Sequence, residues 1–357
     1  MALISKVIYL LIALLFTTGQ IFRINLFNIS FPLIDIVIVI FALFNLFQHF
    51  KNKDLKIKNK AWLYFSIFAW LLLPLTLFKY QIQSFTPLLY LIRLTALLSF
   101  FILPIKNNKN KNLINLAIIA NIIFGLIQYL LWPNFTYFDA SNWDPHLYRL
   151  VSTFFDPTFT ALIYLIFIIY LFLNKKFPYR KILLVISYIA MALTYSRATY
   201  LAFLLAFIFI AKKRKNIKIF LFSLLLITST VLILPRLPGE GTKLERTSSI
   251  KAKIINYQEA WQTFKKSPII GHGYNNIAFI RENKNPNSHA NSAYDGSLMT
   301  ILVSTGIIGL SLFLFGIKDL YLKSKLTKQT IIVAILFHSL FANSLLYPWI
   351  FLLLAII

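Results

Sequence analysis

Long apolar runs separated by short polar stretches repeat along this 357-residue chain from its first residues to its last. A helix needs about 20 apolar residues to cross a hydrocarbon core of roughly 30 Å, and most of these runs approach that length. They predict helices at roughly 3–22, 30–50, 61–79, 86–105, 112–132, 156–173, 182–195, 198–211, 217–234, 297–317, 329–345 and 346–357. The expected fold class is therefore all-α: a polytopic integral membrane helix bundle of about 12 transmembrane helices in one membrane domain, 1–357. The weakest boundaries are the two short runs on either side of Arg197 and the final stretch, where Pro348 either breaks one helix or separates two.

Composition and charge sharpen that picture. Hydrophobic residues make up 59% of the chain and charged ones 13%, a ratio that a soluble domain of this size cannot hide in its core. The first run, Val7 to Phe22 behind Lys6, resembles a signal peptide, but no small-x-small cleavage site follows, so it is expected to stay as the first helix. There is no cysteine, which removes disulfides and thiolate metal sites. The net charge of +25 falls into clusters between the apolar runs rather than onto one nucleic-acid-binding face. Such clusters occur at Lys51–Lys60, Lys106–Lys111, Lys175–Lys181, Lys212–Lys218 and Lys318–Lys328, with Lys6 at the start. With the amino terminus in the cytoplasm, the helices above put every cluster on the cytoplasmic side, as the positive-inside rule expects.

That topology leaves residues 133–155 and 235–296 on the outer face. The larger segment leaves the membrane through Pro235, Pro238, Gly239 and Gly241. From Ser249, Ile250, Ile254, Tyr257, Trp261 and Phe264 recur at helical spacing with Lys251, Lys253, Lys265 and Lys266 on other faces, and the pattern stops at Ser267-Pro268. A basic amphipathic helix of this kind suits either the bilayer interface or packing against neighbouring loops. Two charges, Asp35 and Arg93, lie within apolar runs, where each costs roughly 2.5–3.5 kcal/mol and needs a partner or a cavity. Arg93 is expected to pair with Asp35 or to bind a lipid phosphate.

Three stretches resemble the O-antigen ligase and polymerase superfamily of bacterial envelope glycan assembly. Leu193-Thr194-Tyr195-Ser196-Arg197-Ala198 is similar to the L-T-x-S-R-x signature at the outer end of a short helix. The W-x(6)-P-I-I-G-H-G-Y stretch from Trp261 to Tyr274 is similar to the W-x(5–7)-P-L-x-G-x-G-x segment of the large outer loop. Asn287-Ser288-His289-Ala290-Asn291, followed by L-V-S-T-G-I-I-G-L over 302–310, resembles a loop histidine preceding a G-x-x-G helix entry. Phe155-Asp156-Pro157-Thr158 resembles a weaker feature, and the likeness spans roughly 149–345. In many relatives the histidine lies nearer the G-x-x-G; at that spacing this chain has Asp295-Gly296, so His289 is taken as the equivalent and Asp295 as the alternative.

The resemblance implies transfer of a glycan from a polyprenyl diphosphate carrier to a glycan, lipid or protein acceptor hydroxyl, at the outer face of the bacterial cytoplasmic membrane, without metal or other cofactor and with inversion. The leaving diphosphate needs fixed positive charge, which the planar, permanently charged guanidinium supplies through bidentate hydrogen bonds. Arg197 is the first candidate clamp and Arg246, early in the large loop, the second. The acceptor needs a base, and a neutral imidazole with a pKa near about 6.5 suits that role at His289. His272 and Arg93 are candidate substrate contacts beside Asp295, whereas His146 and His338 carry no motif and are read as structural. No Walker loop, D-x-D pair or Ser-His-Asp order appears. The competing class is a transporter or flippase of lipid-linked glycans, but no repeated halves are visible.

Overall fold

The computed structural model describes residues 2–26, 29–80, 85–103, 105, 111–134, 146–281 and 291–357. Fourteen α-helices are found among them: α1 (Ala2–Thr18), α2 (Leu33–Lys51), α3 (Lys60–Leu71), α4 (Thr86–Ile102), α5 (Lys111–Leu131), α6 (Pro157–Leu173), α7 (Arg180–Ala192), α8 (Arg197–Arg214), α9 (Ile217–Ile233), α10 (Ser248–Lys265), α11 (Ile277–Ile280), α12 (Ser297–Lys323), α13 (Leu326–His338) and α14 (Pro348–Ile356). Twelve of them coincide with the apolar runs, and α10 is the amphipathic helix expected from Ser249. Among the described residues, four helical stretches are long and apolar enough to cross a membrane: Leu33–Lys51, Lys60–Lys79, Asn112–Leu131 and Ser297–Lys323. The other apolar helices are shorter.

Several boundaries differ from the sequence reading: α3 ends at Leu71 rather than 79 and α12 runs on to Lys323 rather than 317, among others. α1 stops at Thr18 instead of continuing to 22, because the Gln20 N–H donates to the Thr153 carbonyl at 2.8 Å and draws the chain out of the helix. A two-stranded ribbon, Arg23–Leu26 with Ile29–Pro32, then connects to α2. α13 ends at His338, not at 345, and residues 339–347 are irregular apart from one 3-10 turn, Ser344–Leu346. Pro348 neither breaks a helix nor ends one. It occupies the first turn of α14, where its missing N–H is no loss.

The chain divides into two compact units. One comprises Met1–Arg23, Lys109–Ser249 and Ser324–His338. At its centre α6 is buried on all sides: Leu162, Tyr164, Leu165, Ile166, Phe167 and Ile169 have no exposed surface, as expected of a helix that is apolar all round. α6 packs against α7, α8 and α13. Beside it, Asn121 and Gln128 of α5 hold the irregular segment 151–153. The Asn121 amide donates to Thr153 Oγ1 at 2.6 Å, and Gln128 Oε1 accepts from the N–H groups of Val151 and Ser152. These bonds satisfy backbone groups that would otherwise be costly to bury. Buried His338 lies 3.1 Å from the Thr199 hydroxyl, a structural contact between α13 and α8.

The other unit comprises Ile24–Asn108, Ile250–Lys323 and Ser339–Ile357. Trp62 is its anchor: the indole N–H donates to the Phe313 carbonyl at 3.0 Å, and the ring meets Phe101 edge-on at 4.7 Å. Gly316 permits this approach, since a Cβ there would lie 2.0 Å from the indole Cδ1. A smaller core joins α10, α11 and the first turns of α12 through Ala260, Phe264, Ile277, Tyr294 and Val303. α10 packs on this core by one side only. Its Ala260 and Phe264 are buried in that core, whereas Ile250, Ile254, Ile255 and Trp261 remain exposed.

Candidate functional site

Arg197 is the first residue of α8, and the turn before it fixes its position. Tyr195 adopts φ +52°, the Thr194 hydroxyl donates to the Met191 carbonyl at 2.6 Å, and the Tyr195 hydroxyl donates to the Pro235 carbonyl at 3.0 Å. From that turn the Arg197 fork reaches the segment after α9. Nη1 donates to the carbonyls of Leu244 (3.0 Å) and Arg246 (2.7 Å), and Nη2 donates to Ser249 Oγ (2.7 Å). Among the described residues these use three of the five guanidinium donors, leaving two for an anion.

Arg246 folds back over the same segment, with Nη1 donating to the carbonyls of Gly241 (2.6 Å) and Lys243 (3.0 Å). Burial lowers its pKa from the ordinary guanidinium value, and the Arg197 charge lowers it further, opposed by Glu240 and Glu245. The direction reflects chiefly a partly buried guanidinium beside a second one, not a deprotonated arginine. The two sequence-chosen arginines therefore share one backbone segment, 241–249.

A third arginine belongs to this assembly and was missed in the sequence. Arg149 is 7% exposed, its Nε donates to the Thr194 carbonyl at 2.8 Å, and a Cβ on Gly241 would lie 2.6 Å from its Cδ. Leu150 N–H donates to the Leu193 carbonyl at 3.0 Å alongside. Arg149 thus braces the L-T-Y-S-R turn and the Gly241 turn at once. The only sequence signal was a single charge directly before Leu150 and Val151.

In the other unit, the P-I-I-G-H-G and S-T-G-I-I-G stretches form a single structure. α12 breaks at Gly306 (φ +64°, ψ −168°), where the helical hydrogen-bond ladder lapses. The segment before α11 fills the break. His272 and Gly273 N–H donate to the carbonyls of Val303 and Ser304 at 3.0 and 2.8 Å, while Ile307 and Ile308 N–H donate to the carbonyls of Pro268 and Ile269 at 2.9 and 3.3 Å. Gly271, at φ +72°, passes so close that a Cβ would lie 2.5 Å from Gly306 N.

His272 is held inside this splice rather than presented to a ligand. It is 5% exposed, Nδ1 meets the Tyr80 hydroxyl, and Nε2 meets the Thr263 carbonyl at 2.8 Å. With Nε2 donating and Nδ1 accepting, the ring is neutral. Burial sets its pKa below the ordinary imidazole value, with Lys79 and Lys266 adding to the effect and the Thr263 bond opposing it.

Asp295 is half-exposed and engaged: its carboxylate lies 3.4 Å from Lys253 Nζ, which also donates to the Phe341 carbonyl at 2.6 Å, while Asp295 N–H donates to Asn256 Oδ1. Arg93 pairs with Asp35 at 3.1 Å, with side chains 15% and 13% exposed, and its guanidinium lies 4.1 Å from the centre of the Tyr90 ring. The Tyr274 phenol, from the G-H-G-Y turn, interacts with Arg93 electrostatically. His289 falls in 282–290, outside the described residues. The residues flanking that segment are firmly held. Arg281 makes a bidentate pair with Glu259 (2.7 and 2.8 Å), stacks on Tyr294 and donates to the Ala293 carbonyl at 3.3 Å.

No curated protein matches the chain. A family model described as O-Antigen ligase matches residues 182–314, which include the turn carrying Arg197, the segment carrying Arg246, and both strands of the splice at Gly306. This match supports the resemblance to the O-antigen ligase/polymerase superfamily seen in the sequence.

Proposed function

We propose that the protein is a glycosyltransferase that moves an oligo- or polysaccharide from a polyprenyl diphosphate to an acceptor hydroxyl at the outer face of the bacterial cytoplasmic membrane. The observation that carries this reading is the joint anchoring of Arg197 and Arg246 on segment 241–249, with guanidinium donors to spare. Immobilised positive charge is what a departing diphosphate requires, because it needs no reorganisation as negative charge develops. In the reaction the acceptor oxygen bonds to the anomeric carbon, the sugar–phosphate C–O bond breaks, and the diphosphate leaves with the electron pair. The hydroxyl proton passes to neutral His289. Asp295 is a weaker candidate for the base, since its carboxylate already faces Lys253. No metal or cofactor takes part in this scheme.

The topology proposed with it has 12 spans and a cytoplasmic amino terminus, which leaves residues 235–296 outside. The transporter reading has one feature in its favour, the break in α12, since broken helices build transport sites. In this chain the freed backbone groups of that break are already bonded to residues 268–273, which favours the enzyme.

The test is transfer by the purified protein from a defined polyprenyl diphosphate glycan, with products resolved by chain length and acceptor to separate polymerase from ligase activity. Arg197→Lys, which keeps charge but loses the fork, should weaken both donor binding and turnover. His289→Ala should bind donor nearly as well and turn over roughly 10²–10⁴ more slowly. Inactive Asp295→Ala beside fully active His289→Ala would reassign the base. Wild-type rates in all three variants would remove the proposed site.

A further inference from the structure

The core that joins α10, α11 and α12 leaves a second apolar stripe of α10 uncovered. Ile250, Ile254 and Trp261 are exposed, and at roughly 100° per residue they fall within about 40° of one another around the helix. Buried Ala260 and Phe264 border the stripe on one side; exposed Lys251, Gln258, Gln262 and Lys265 border it on the other. Lys265 Nζ lies 6.0 Å from the centre of the Trp261 ring, which meets the Phe264 ring at 5.1 Å. An indole with an ammonium at its rim suits the headgroup level of a bilayer, where the ring stays on the apolar side and the cation reaches phosphate.

The depth of this stripe is set by α12, one of the helices long and apolar enough to cross a membrane. Just after α10, Ile269 and Ile270 are exposed, and the splice fixes them to α12: Ile307 and Ile308 N–H donate to the carbonyls of Pro268 and Ile269 at 2.9 and 3.3 Å. Ile307 and Ile308 are exposed as well, so apolar surface continues from the spanning helix onto segment 268–270. At about 1.5 Å per residue, Ile307 stands roughly 17 Å from Lys318 and roughly 24 Å from Lys323, the basic residues towards the far end of α12. In a core of roughly 30 Å that depth lies inside the hydrocarbon, in the half remote from the basic clusters. Ile269 follows Lys265 by four residues, a reach of at most about 14 Å, so α10 ends close to the headgroups. A soluble partner covering Ile269 and Ile270 would have to enter the hydrocarbon, where lipid already stands.

We infer that α10 lies along the bilayer surface on the side opposite the basic clusters, with Ile250, Ile254 and Trp261 at the headgroup boundary, Lys251 and Lys265 on lipid phosphates, and Ile269 and Ile270 as a wedge among the acyl chains. The inference rests on the spans proposed above, not on transfer activity. A helix with one apolar stripe and flanking lysines binds a bilayer through that stripe. Part of the large loop is then a membrane-bound element, which holds the turn at Gly271–Tyr274 near the depth of the headgroups rather than in bulk water.

The experiment attaches nitroxide labels one at a time to the full-length protein, which has no cysteine of its own, in phospholipid nanodiscs. Collision with oxygen, which concentrates in lipid, is read against collision with a nickel chelate, which stays in water. Labels at Ile254→Cys, Trp261→Cys and Ile269→Cys should collide more with oxygen, and labels at Gln258→Cys and Gln262→Cys more with nickel. Nickel access at all five positions would overturn the inference, because α10 then stands in water. Shielding of the stripe from both relaxants would overturn it too, because another protein chain then covers it. Should a cysteine variant fail to fold, phospholipid brominated along its acyl chains decides: it should quench a component of the wild-type tryptophan fluorescence that Trp261→Phe lacks, and identical quenching of the two would overturn the contact. Neither readout needs turnover, so the expected pattern in a protein that transfers no glycan leaves the contact standing while the transferase reading falls.

Discussion

Gly306→Ala offers the sharpest test of the splice that joins two motif stretches into one. Gly306 has φ +64° and ψ −168°, a region open in practice only to glycine, so any side chain brings backbone strain of about 1–3 kcal/mol. An added Cβ would lie 2.2 Å from the Ile269 oxygen and 2.4 Å from its carbonyl carbon. Both are backbone atoms that cannot swing aside, so segment 268–273 must withdraw from α12. Four backbone hydrogen bonds cross this junction, each worth about 0.5–1.5 kcal/mol net. Losing even half of them brings the expected total to about 2–6 kcal/mol, whose upper part is reached only by a specific structural break. Thermal unfolding in detergent, followed by tryptophan fluorescence, should show an apparent Tm lower by on the order of 10 °C. Gly309→Ala is the comparison: its Cβ would lie 2.2 Å from Cβ and Oγ1 of Thr305, within α12 itself, so any loss there leaves the bonds to segment 268–273 untouched. A Gly306→Ala protein melting within a degree of wild type would refute the splice.

Arg93→Leu should lower folded yield, because it takes from the largely buried Asp35 its guanidinium partner at a cost of about 3–5 kcal/mol, and adding Asp35→Asn should restore part of it; unchanged yield in the single variant would count against the pair. His272, whose folded pKa lies below its unfolded value, contributes stability that is fully present above the unfolded pKa near about 6.5 and is lost as the pH falls through the folded pKa. His272→Gln should flatten that acidic slope in a Tm-versus-pH series, and an unaltered slope would assign it to other groups. Because the chain has no cysteine, Asn52→Cys and Asn216→Cys should resist an impermeant thiol reagent in intact cells while Asn287→Cys reacts; external labelling of Asn216→Cys would overturn the topology around Arg197.

Arg197 and Arg246 stood out in the sequence because residue type and motif position both suggested anion binding, but their meeting on segment 241–249 was not legible there. Arg149 did not stand out, since its significance lies in a contact with Thr194, 45 residues away. His272 shows the same limit from the other side. Its glycine-flanked place in a motif made it resemble a ligand contact, yet both ring nitrogens are engaged in holding the chain together. Nothing local distinguishes a histidine that meets substrate from one that meets Tyr80.

The sequence by itself determined the helices. Water and lipid act on each run separately, so an unbroken apolar stretch declares its helix without reference to any other part of the chain, and so does the period of α10 between Ser249 and Pro268. It also determined that Asp35 and Arg93 needed partners, since burial of charge is a local cost. Tertiary structure decided what could not be settled locally: that Asp35 and Arg93 pair with each other, that α13 stops at His338 while Pro348 begins a helix, and that P-I-I-G-H-G fills the break at Gly306. The common physical reason is that backbone hydrogen bonds and ion pairs are satisfied by whichever groups the fold brings near. For the most consequential of them, those partners lie some thirty to sixty residues away along the chain.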